Sequence, residues 1–244
     1  MNYEEARKKF VDTIVKGTNR FRPWEVFTDF CHMGAISLYQ PLKKSQELEA
    51  EYLKIVGKYS KEEAQIFPEL LSLVVIALSD RMGDFLGECF TDLDLGSKYK
   101  GQFFTPYPIA KFMALSLGES GKEIEKTSDP ACGSGCMLIA RADSLQGMKI
   151  NYQKRMLVQA VDIDSLCVSM CYIQLSLLHI PAEVIHGDSL TLEVYKRWYT
   201  PAYIMSGNSL YPKNEKDNSS SEDNSKKESY TKEQLKNFSK GTLF

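Results

Sequence analysis

The stretch Asp129-Pro130-Ala131-Cys132-Gly133-Ser134-Gly135 stands between a short polar strand candidate, Glu123 to Ser128, and an apolar helical pattern that starts at Met137. A glycine loop at such a junction lets a ligand approach the backbone, and the free amide groups of the helix start face that ligand. The loop has neither the G-x-x-x-x-G-K-[ST] spacing of phosphate-binding loops nor the full G-x-G-x-x-G spacing, which disfavours a nucleotide-dependent oxidoreductase. The stretch predicts an α/β unit that binds a nucleotide-like ligand.

The chain around the loop alternates between strand and helix patterns. Four strands are predicted, at residues 123–128, 155–161, 182–186 and 202–206. Helices are predicted at about residues 108–117, from the glycine loop to about 146, and at about 165–179. This alternation predicts a parallel sheet with its ligand at the carboxyl ends of the strands.

The N-terminal part reads as helical, over residues 3–60 and again over 61–90, with breaks at Gly17, Pro23 and Pro41. Four aromatic residues recur at a spacing of three and lie near one helical face: Phe21, Trp24, Phe27 and Phe30. A helix–helix core is the favoured interpretation of that face, and a surface that stacks on DNA bases is the alternative.

Composition limits the classes of function that fit. The chain has 244 residues, 43% hydrophobic and 25% charged, with a formal net charge of −2, so there is no overall basic signature of a nucleic-acid-binding protein. The longest apolar run, Leu70 to Leu78, is too short for a membrane span and predicts a buried helix. No signal peptide is recognised, so a cytoplasmic protein without membrane contact is expected.

Two cysteine pairs have a spacing of four residues, Cys132 with Cys136 and Cys167 with Cys171. A zinc site is one interpretation of this spacing, but the usual C-x₂-C pattern is absent and one pair overlaps the glycine loop. Small apolar packing residues are the favoured interpretation, and no metal site is predicted.

Four shorter motifs accompany the glycine loop in order along the chain: Asp80 with Gly83, Gly101–Pro106 (GQFFTP), Asp162, and Gly187–Leu190 (GDSL). With these motifs the chain resembles the S-adenosylmethionine-dependent DNA methyltransferases that methylate amino groups, specifically the modification subunits of type I restriction–modification systems. The resemblance covers about residues 78–211. It implies a Rossmann-like methyltransferase domain over 96–212, preceded by a helical region over 1–95.

The resemblance also implies roles for residues at the strand ends. Asp129 is expected to accept from the ligand ammonium group, Asp162 from the ribose hydroxyls and Asp188 from the adenine amino group. Gly133 and Gly135 would let the backbone approach the methionine part. The remaining residues assigned to the cofactor site are Gln102, Phe103, Thr105, Pro106, Ala131, Ile163 and Ser189, with Thr105 and Pro106 in the family's lid. Taken singly, each aspartate is better explained as a helix cap or a turn residue, and it is the set of three at the expected strand ends that favours the cofactor site.

The family's catalytic motif, [DN]-P-P-[YF] at the end of the fourth strand, is only partly present. Here the stretch reads Asn208-Ser209-Leu210-Tyr211, so Asn208 and Tyr211 match while both prolines are missing. The resemblance implies that Asn208 orients the amino group of an adenine flipped out of the duplex and that Tyr211 stacks on it. Without proline the loop is expected to be less rigid.

The segment after Pro212 changes composition sharply. Residues 213–244 are polar, with seven Lys against six Asp and Glu, and a disordered tail is predicted. Since the family continues with further strands, the methyltransferase domain is expected to be truncated. The expected partners are double-stranded DNA and a specificity subunit or another target-recognition protein. The alternative is a degenerate or truncated homologue that binds the cofactor or a partner without catalysis.

Overall fold

The computed structural model describes residues 1–17, 20–93, 104–207 and 210. Within residues 1–17 and 20–93 the structure describes six helices: α1 (Tyr3–Gly17), α2 (Pro23–Tyr39), α3 (Gln46–Val56), α4 (Lys61–Ala64), α5 (Ile66–Asp80) and α6 (Phe85–Asp92). Helix α1 ends at Gly17 and helix α2 begins at Pro23, because proline fits the first turn of a helix and not its interior. The described helices thus follow the helical pattern of the sequence, with interruptions after Gly17 and before Pro23.

The aromatic residues of the N-terminal region form a core and not a surface. Phe27 and Phe30 are buried on α2, and both rings contact Phe10 of α1 edge to face, at centroid distances of 6.3 and 5.3 Å. Phe85 at the start of α6 contacts the same ring at 5.4 Å. The helix–helix interpretation is confirmed for these side chains, since a buried ring is not available to stack on a base.

The second half of the chain forms a four-stranded sheet with order β1-β2-β3-β4. The strands are β1 (Glu125–Asp129), β2 (Met156–Asp162), β3 (Ala182–Asp188) and β4 (Glu193–Tyr199). The accompanying helices are α7 (Tyr107–Ser116), α8 (Cys136–Gly147), α9 (Tyr152–Arg155), α10 (Ser165–Leu177) and α11 (Pro201–Ser206). Strands β1, β2 and β3 are parallel, whereas β4 runs antiparallel to β3. The carboxyl ends of β1 and β2 therefore meet at one edge, as predicted.

The predicted fourth strand over 202–206 is wrong. These residues form the short helix α11, because Pro201 occupies a first-turn position and the Thr200 hydroxyl accepts a hydrogen bond from the Tyr203 amide at 3.3 Å. The same hydroxyl accepts from the Ala182 amide at 2.9 Å and donates to the Ile180 carbonyl at 2.8 Å, which fixes the helix start against β3. The fourth strand is instead the preceding segment, Glu193–Tyr199, and it makes the sheet mixed.

The helical region packs directly on the sheet domain. Tyr39 of α2 contacts Trp198 of β4 and Tyr172 of α10, at ring distances of 5.0 and 5.9 Å. One continuous cluster of buried apolar residues extends from Tyr3 to Trp198. The predicted boundary at residue 95 and the tail at 213–244 lie outside the described residues. Within the described ranges, no helix combines the length and apolar character of a membrane span.

Candidate functional site

The glycine loop forms a tight crossing from β1 to α8. The Cys132 amide donates to the Val161 carbonyl of β2 at 2.9 Å, and the Gly135 amide donates back to the Cys132 carbonyl at 2.8 Å. Gly133 and Gly135 both have a positive φ, of 54° and 93°. Because L-residues with a side chain avoid this left-handed region, the sequence places glycine at both turning points of the loop.

Space as well as backbone angle requires glycine here. A Cβ atom on Gly133 would lie 2.9 Å from the Phe104 ring, and one on Gly135 would lie 3.1 Å from the Cys171 sulfur. Gly135 is also the residue before the first turn of α8, and no side chain caps that helix start. The first amide groups of α8 therefore have no partner within the helix and face the end of the loop.

A cavity of about 210 Å³ opens beside the loop. The residues around it come from the segment that precedes α7, from the loop, from both strand ends and from the starts of α8 and α10: Phe104, Thr105, Asp129, Ala131, Cys132, Gly133, Ser134, Cys136, Met137, Asp162 and Cys167. Five residues predicted for the cofactor site are in this set, namely Thr105, Asp129, Ala131, Gly133 and Asp162. The carboxyl edge of the sheet thus brings the centre of the predicted site together.

Two carboxylates dominate the electrostatics of the cavity. Asp129 ends β1 and accepts a hydrogen bond from the Ala131 amide at 3.1 Å. Burial raises the pKa of Asp129, and the negative charge of Asp162 raises it further, while the bond from Ala131 acts in the opposite direction. Neither effect is offset by a basic group, since the described residues around the cavity include no lysine, arginine or histidine. Such a site favours a positively charged group and repels phosphate.

Asp162 does more than face the cavity. Its two carboxylate oxygens accept from the Gly133 amide and the Asp164 amide, each at 2.8 Å. Each oxygen keeps lone-pair capacity for a further donor. The carboxylate at the end of β2 therefore holds the glycine loop in place and still presents acceptors to a ligand.

Five of the predicted cofactor residues are described but do not line this cavity: Pro106, Gly135, Ile163, Asp188 and Ser189. Gly135 contributes a left-handed turn to the loop. Ile163 follows Asp162 in sequence, and it is 61% exposed. Asp188 closes the turn from β3 to β4, because its carboxylate accepts from the Leu190 and Thr191 amides at 2.8 and 3.2 Å. These two bonds lower its pKa.

Four predicted site residues fall outside the described residues: Gln102, Phe103, Asn208 and Tyr211. The described residue next to Tyr211 is Leu210, whose carbonyl accepts from the Lys126 ammonium of β1 at 3.1 Å. The roles of all these residues stay predictions.

Sequence reasoning assigned the D-x-x-G motif to the wrong aspartate. Asp80 accepts from the Tyr3 amide at 2.9 Å, which directs its carboxylate toward α1 and not toward the loop. Asp84 and Gly87 repeat the same spacing, and Asp84 accepts a hydrogen bond from the Ser134 hydroxyl at 2.6 Å. The consecutive repeat, Asp80-x-x-Gly83 followed by Asp84-x-x-Gly87, is visible in the sequence, but only the fold shows which copy reaches the glycine loop.

The six cysteines are buried and unpaired. Among the described residues, no group of three or more His, Cys, Asp or Glu side chains is arranged to hold a metal ion. Cys136 donates to the Thr105 carbonyl at 3.3 Å, so this thiol connects α8 to the segment that precedes α7.

Comparison with known proteins agrees with this fold. The model of the N-6 DNA methylase family matches residues 79–241, about two thirds of the chain. A crystal structure of a putative class I S-adenosylmethionine-dependent methyltransferase from Listeria monocytogenes superposes with a TM-score of 0.50 at 20% identity, over 77% of this chain and 54% of that one. This chain therefore spans about half the length of that protein, and the likeness concerns the fold alone.

A second structure, the methyltransferase subunit of a type I restriction-modification system from Streptococcus thermophilus, matches at 21% identity with a TM-score of 0.34. It covers 53% of this chain and 28% of that one, and at this level of similarity we draw no conclusion about fold or function from it. No curated protein matches the sequence. The predicted α/β, Rossmann-like methyltransferase fold is confirmed by the first structure, and on the family match the chain belongs to the N-6 DNA methylase family.

Proposed function

We propose that the chain binds S-adenosylmethionine at the carboxyl ends of β1 and β2, as part of a modification methyltransferase for adenine N6 in double-stranded DNA. One observation carries the cofactor assignment. The cavity beside the glycine loop presents two carboxylates, Asp129 and Asp162, and no basic side chain among its described residues. S-adenosylmethionine carries an ammonium and a sulfonium group, whereas NAD and ATP would bring phosphates to these carboxylates.

The residues present fit this molecule. Asp129 would accept from the ammonium group, and the free amides at the start of α8 would face the carboxylate of the methionine part. Asp162 has acceptor capacity left for the ribose hydroxyls. The cavity of about 210 Å³ is smaller than most ligand pockets, so it would enclose only the amino-acid end. The adenosine part would extend across Ile163 toward the β3–β4 turn at Asp188.

Methyl transfer needs a positioned acceptor besides the cofactor. Bound S-adenosylmethionine supplies an electrophilic methyl group. In this proposal the Asn208 side-chain oxygen accepts from the amino group of a flipped adenine, which directs the nitrogen lone pair toward that methyl group, and Tyr211 stacks on the base. The nitrogen–carbon bond would form as the sulfur–methyl bond breaks, so that S-adenosylhomocysteine would leave and the methylated nitrogen would release one proton to solvent; no covalent enzyme intermediate is needed.

The site of methylation would be chosen by another protein. With a formal net charge of −2 the chain carries no excess of basic residues to hold a duplex by its phosphates. A specificity subunit or an equivalent target-recognition partner would bring the DNA, in the cytoplasm and away from membranes.

A second candidate function is cofactor or partner binding without methyl transfer. The observation that favours it is helix α11, which replaces the parallel strand expected just before the catalytic loop. The Leu210 carbonyl contacts Lys126, which precedes Asp129 by three residues, or about 10 Å of extended strand. A loop held toward the amino end of β1 would lie away from the methyl group of a cofactor at Asp129.

Two measurements separate these candidates. Calorimetry with S-adenosylhomocysteine should show binding, and Asp129→Asn should weaken it, while Asp12→Asn on the surface of α1 should not. Tritiated S-adenosylmethionine with mixed-sequence DNA, with and without a candidate specificity subunit, then tests transfer to adenine and its loss in Asn208→Ala. Binding without transfer in any combination would support the second function, and no binding at millimolar ligand would refute the first function and the cofactor-binding form of the second.

A further inference from the structure

The carboxylate of Asp84 is the most unusual polar group outside the cavity. Its residue is 1% exposed, yet the hydrogen-bond donors around it in the described part of the chain are all uncharged: the Ser134 hydroxyl, the Gln174 amide group, the Gly87 backbone amide and the Cys136 thiol. Burial raises the pKa of Asp84, and these hydrogen bonds act in the opposite direction. Burial of a carboxylate among neutral donors costs desolvation free energy that no opposite charge offsets. The groups that bond to Asp84 therefore indicate its structural role.

Each donor belongs to a different part of the fold. Gly87 lies in the first turn of α6, so Asp84 caps that helix. Gln174 is fully buried on α10 and donates at 2.9 Å both to Asp84 and to the Ser134 carbonyl, while its own oxygen accepts from the Leu86 amide at 3.0 Å. Ser134 is the residue between the two left-handed glycines. The network therefore ties the last helix of the N-terminal region to the glycine loop.

Gly87 makes room for this contact. A Cβ atom at Gly87 would overlap the Asp84 carboxylate and lie 2.7 Å from the Ser134 hydroxyl oxygen. The D-x-x-G spacing thus has a physical reason: the aspartate caps the helix, and the glycine leaves space for a serine from the loop.

We propose that Asp84 is a positioning residue for the cofactor site, which acts through Ser134 to hold the glycine loop in its binding conformation. The loop turns through two glycines, and Ser134 carries the only side chain between them. With its hydroxyl anchored, the peptide groups at Gly133 and Gly135 keep their orientation before a ligand arrives. Affinity for the cofactor then depends on the docking of α6, so the N-terminal helices are part of the cofactor site. This inference rests on the proposed binding of S-adenosylmethionine.

Asp84→Asn is the discriminating substitution, because asparagine is also a good helix cap. It can keep the bonds from Gly87 and Gln174 to one oxygen and replace only the oxygen that accepts from Ser134. Ser134→Ala removes the same contact from the other side. The matched control is Asp80→Asn, which changes a carboxylate on the neighbouring turn that bonds to the Tyr3 amide and not to the loop.

Calorimetry with S-adenosylhomocysteine should show a loss of affinity of roughly tenfold for Ser134→Ala, which removes the charge-assisted hydrogen bond. Asp84→Asn should show a smaller loss in the same direction, since its amide can replace that bond only with a neutral one. The double variant should bind no more weakly than Ser134→Ala alone, because Asp84 acts through that side chain. Asp80→Asn should bind like the unmodified protein. Additive losses, or unchanged affinity in Ser134→Ala, would overturn the proposal.

Hydrogen exchange of the unliganded protein gives a second readout that needs no cofactor. The amides of Gly133 and Gly135 should exchange about tenfold faster in Asp84→Asn and Ser134→Ala, and at the original rate in Asp80→Asn. If the unmodified protein binds no S-adenosylhomocysteine but the exchange result holds, the cofactor assignment fails and the role of Asp84 in holding the loop stands. Unchanged exchange in all three variants would refute that role.

Discussion

Replacing Gly135 by alanine tests the loop geometry most directly. Gly135 has φ 93° and ψ 13°, and a left-handed conformation costs a residue with a side chain about 1–2 kcal/mol. The new Cβ would also lie 3.1 Å from the Cys171 sulfur, and overpacking of a buried contact adds about 1–2 kcal/mol. Gly135→Ala should therefore lower the free energy of unfolding by roughly 2–4 kcal/mol.

Two other glycines provide matched controls. Gly118 has φ 64° and nothing within 4 Å of the position that a Cβ would take, so Gly118→Ala should cost only the conformational part, about 1–2 kcal/mol. Gly147 ends α8 with no positive φ and equally open space, so Gly147→Ala should be neutral or stabilising by up to about 1 kcal/mol. The three substitutions add the same methyl group and should form a graded series.

The assay is thermal unfolding followed by circular dichroism, with urea unfolding to obtain free energies. For a domain of this size, Gly135→Ala should melt roughly 5–15 °C lower, and Gly118→Ala about 2–8 °C lower. In a Cys171→Ala background the sulfur is gone, and the cost of Gly135→Ala should fall to that of Gly118→Ala. If Gly135→Ala melts with the unmodified protein, the left-handed loop is wrong; if Cys171→Ala brings no relief, the close contact is wrong.

Three further outcomes are expected. Asp162→Ala should weaken binding of S-adenosylhomocysteine and also lower the melting temperature, because two backbone amides lose their acceptor, whereas Asp162→Asn should keep more of both. The affinity for S-adenosylhomocysteine should rise with pH above the ordinary titration range of aspartate, because the raised pKa of Asp129 leaves part of that carboxyl protonated in the free protein. The ligand ammonium favours the charged carboxylate, so binding should release protons. Calorimetry in buffers of different ionisation heat measures this release, and an uptake of protons would contradict the prediction. Arg141→Met should destabilise by about 3–5 kcal/mol in urea, since it leaves Glu125 buried and unpaired, and adding Glu125→Gln should recover most of the loss.

The central part of the site could be predicted because its chemistry is local. The two glycines of the seven-residue loop limit the backbone conformations that the loop can adopt. The aspartates at the two neighbouring strand ends limit the ligand to one with a positively charged or hydrogen-bond-donating group. The strands that carry Asp129 and Asp162 lie within two residues of their predicted positions. The turn at Asp188 also lies where the sequence predicts it, although the hydrogen bonds there serve the hairpin itself.

The fourth strand could not be predicted from its own residues. Apolar and aromatic residues at 202–206 suit a strand as well as a helix, and a short run does not separate the two. The helical conformation of 202–206 depends on Thr200. Its hydroxyl bonds to Ile180, in the connection after α10, and to Ala182 at the start of β3, and it also caps α11. That arrangement depends on residues about twenty positions earlier in the chain.

The sequence by itself determined the glycine loop, the acidic strand ends and the helical character of the first 90 residues, because backbone angle and hydrophobic period are properties of short segments. The tertiary structure alone decided which of two consecutive D-x-x-G motifs reaches the loop, and it showed that Asp162 both supports the loop and faces the cavity. Asp84 and Ser134 are fifty positions apart in sequence and 2.6 Å apart at their bonded oxygens. Only the packing of α6 against α10 brings them together, and no periodicity within either segment encodes that distance.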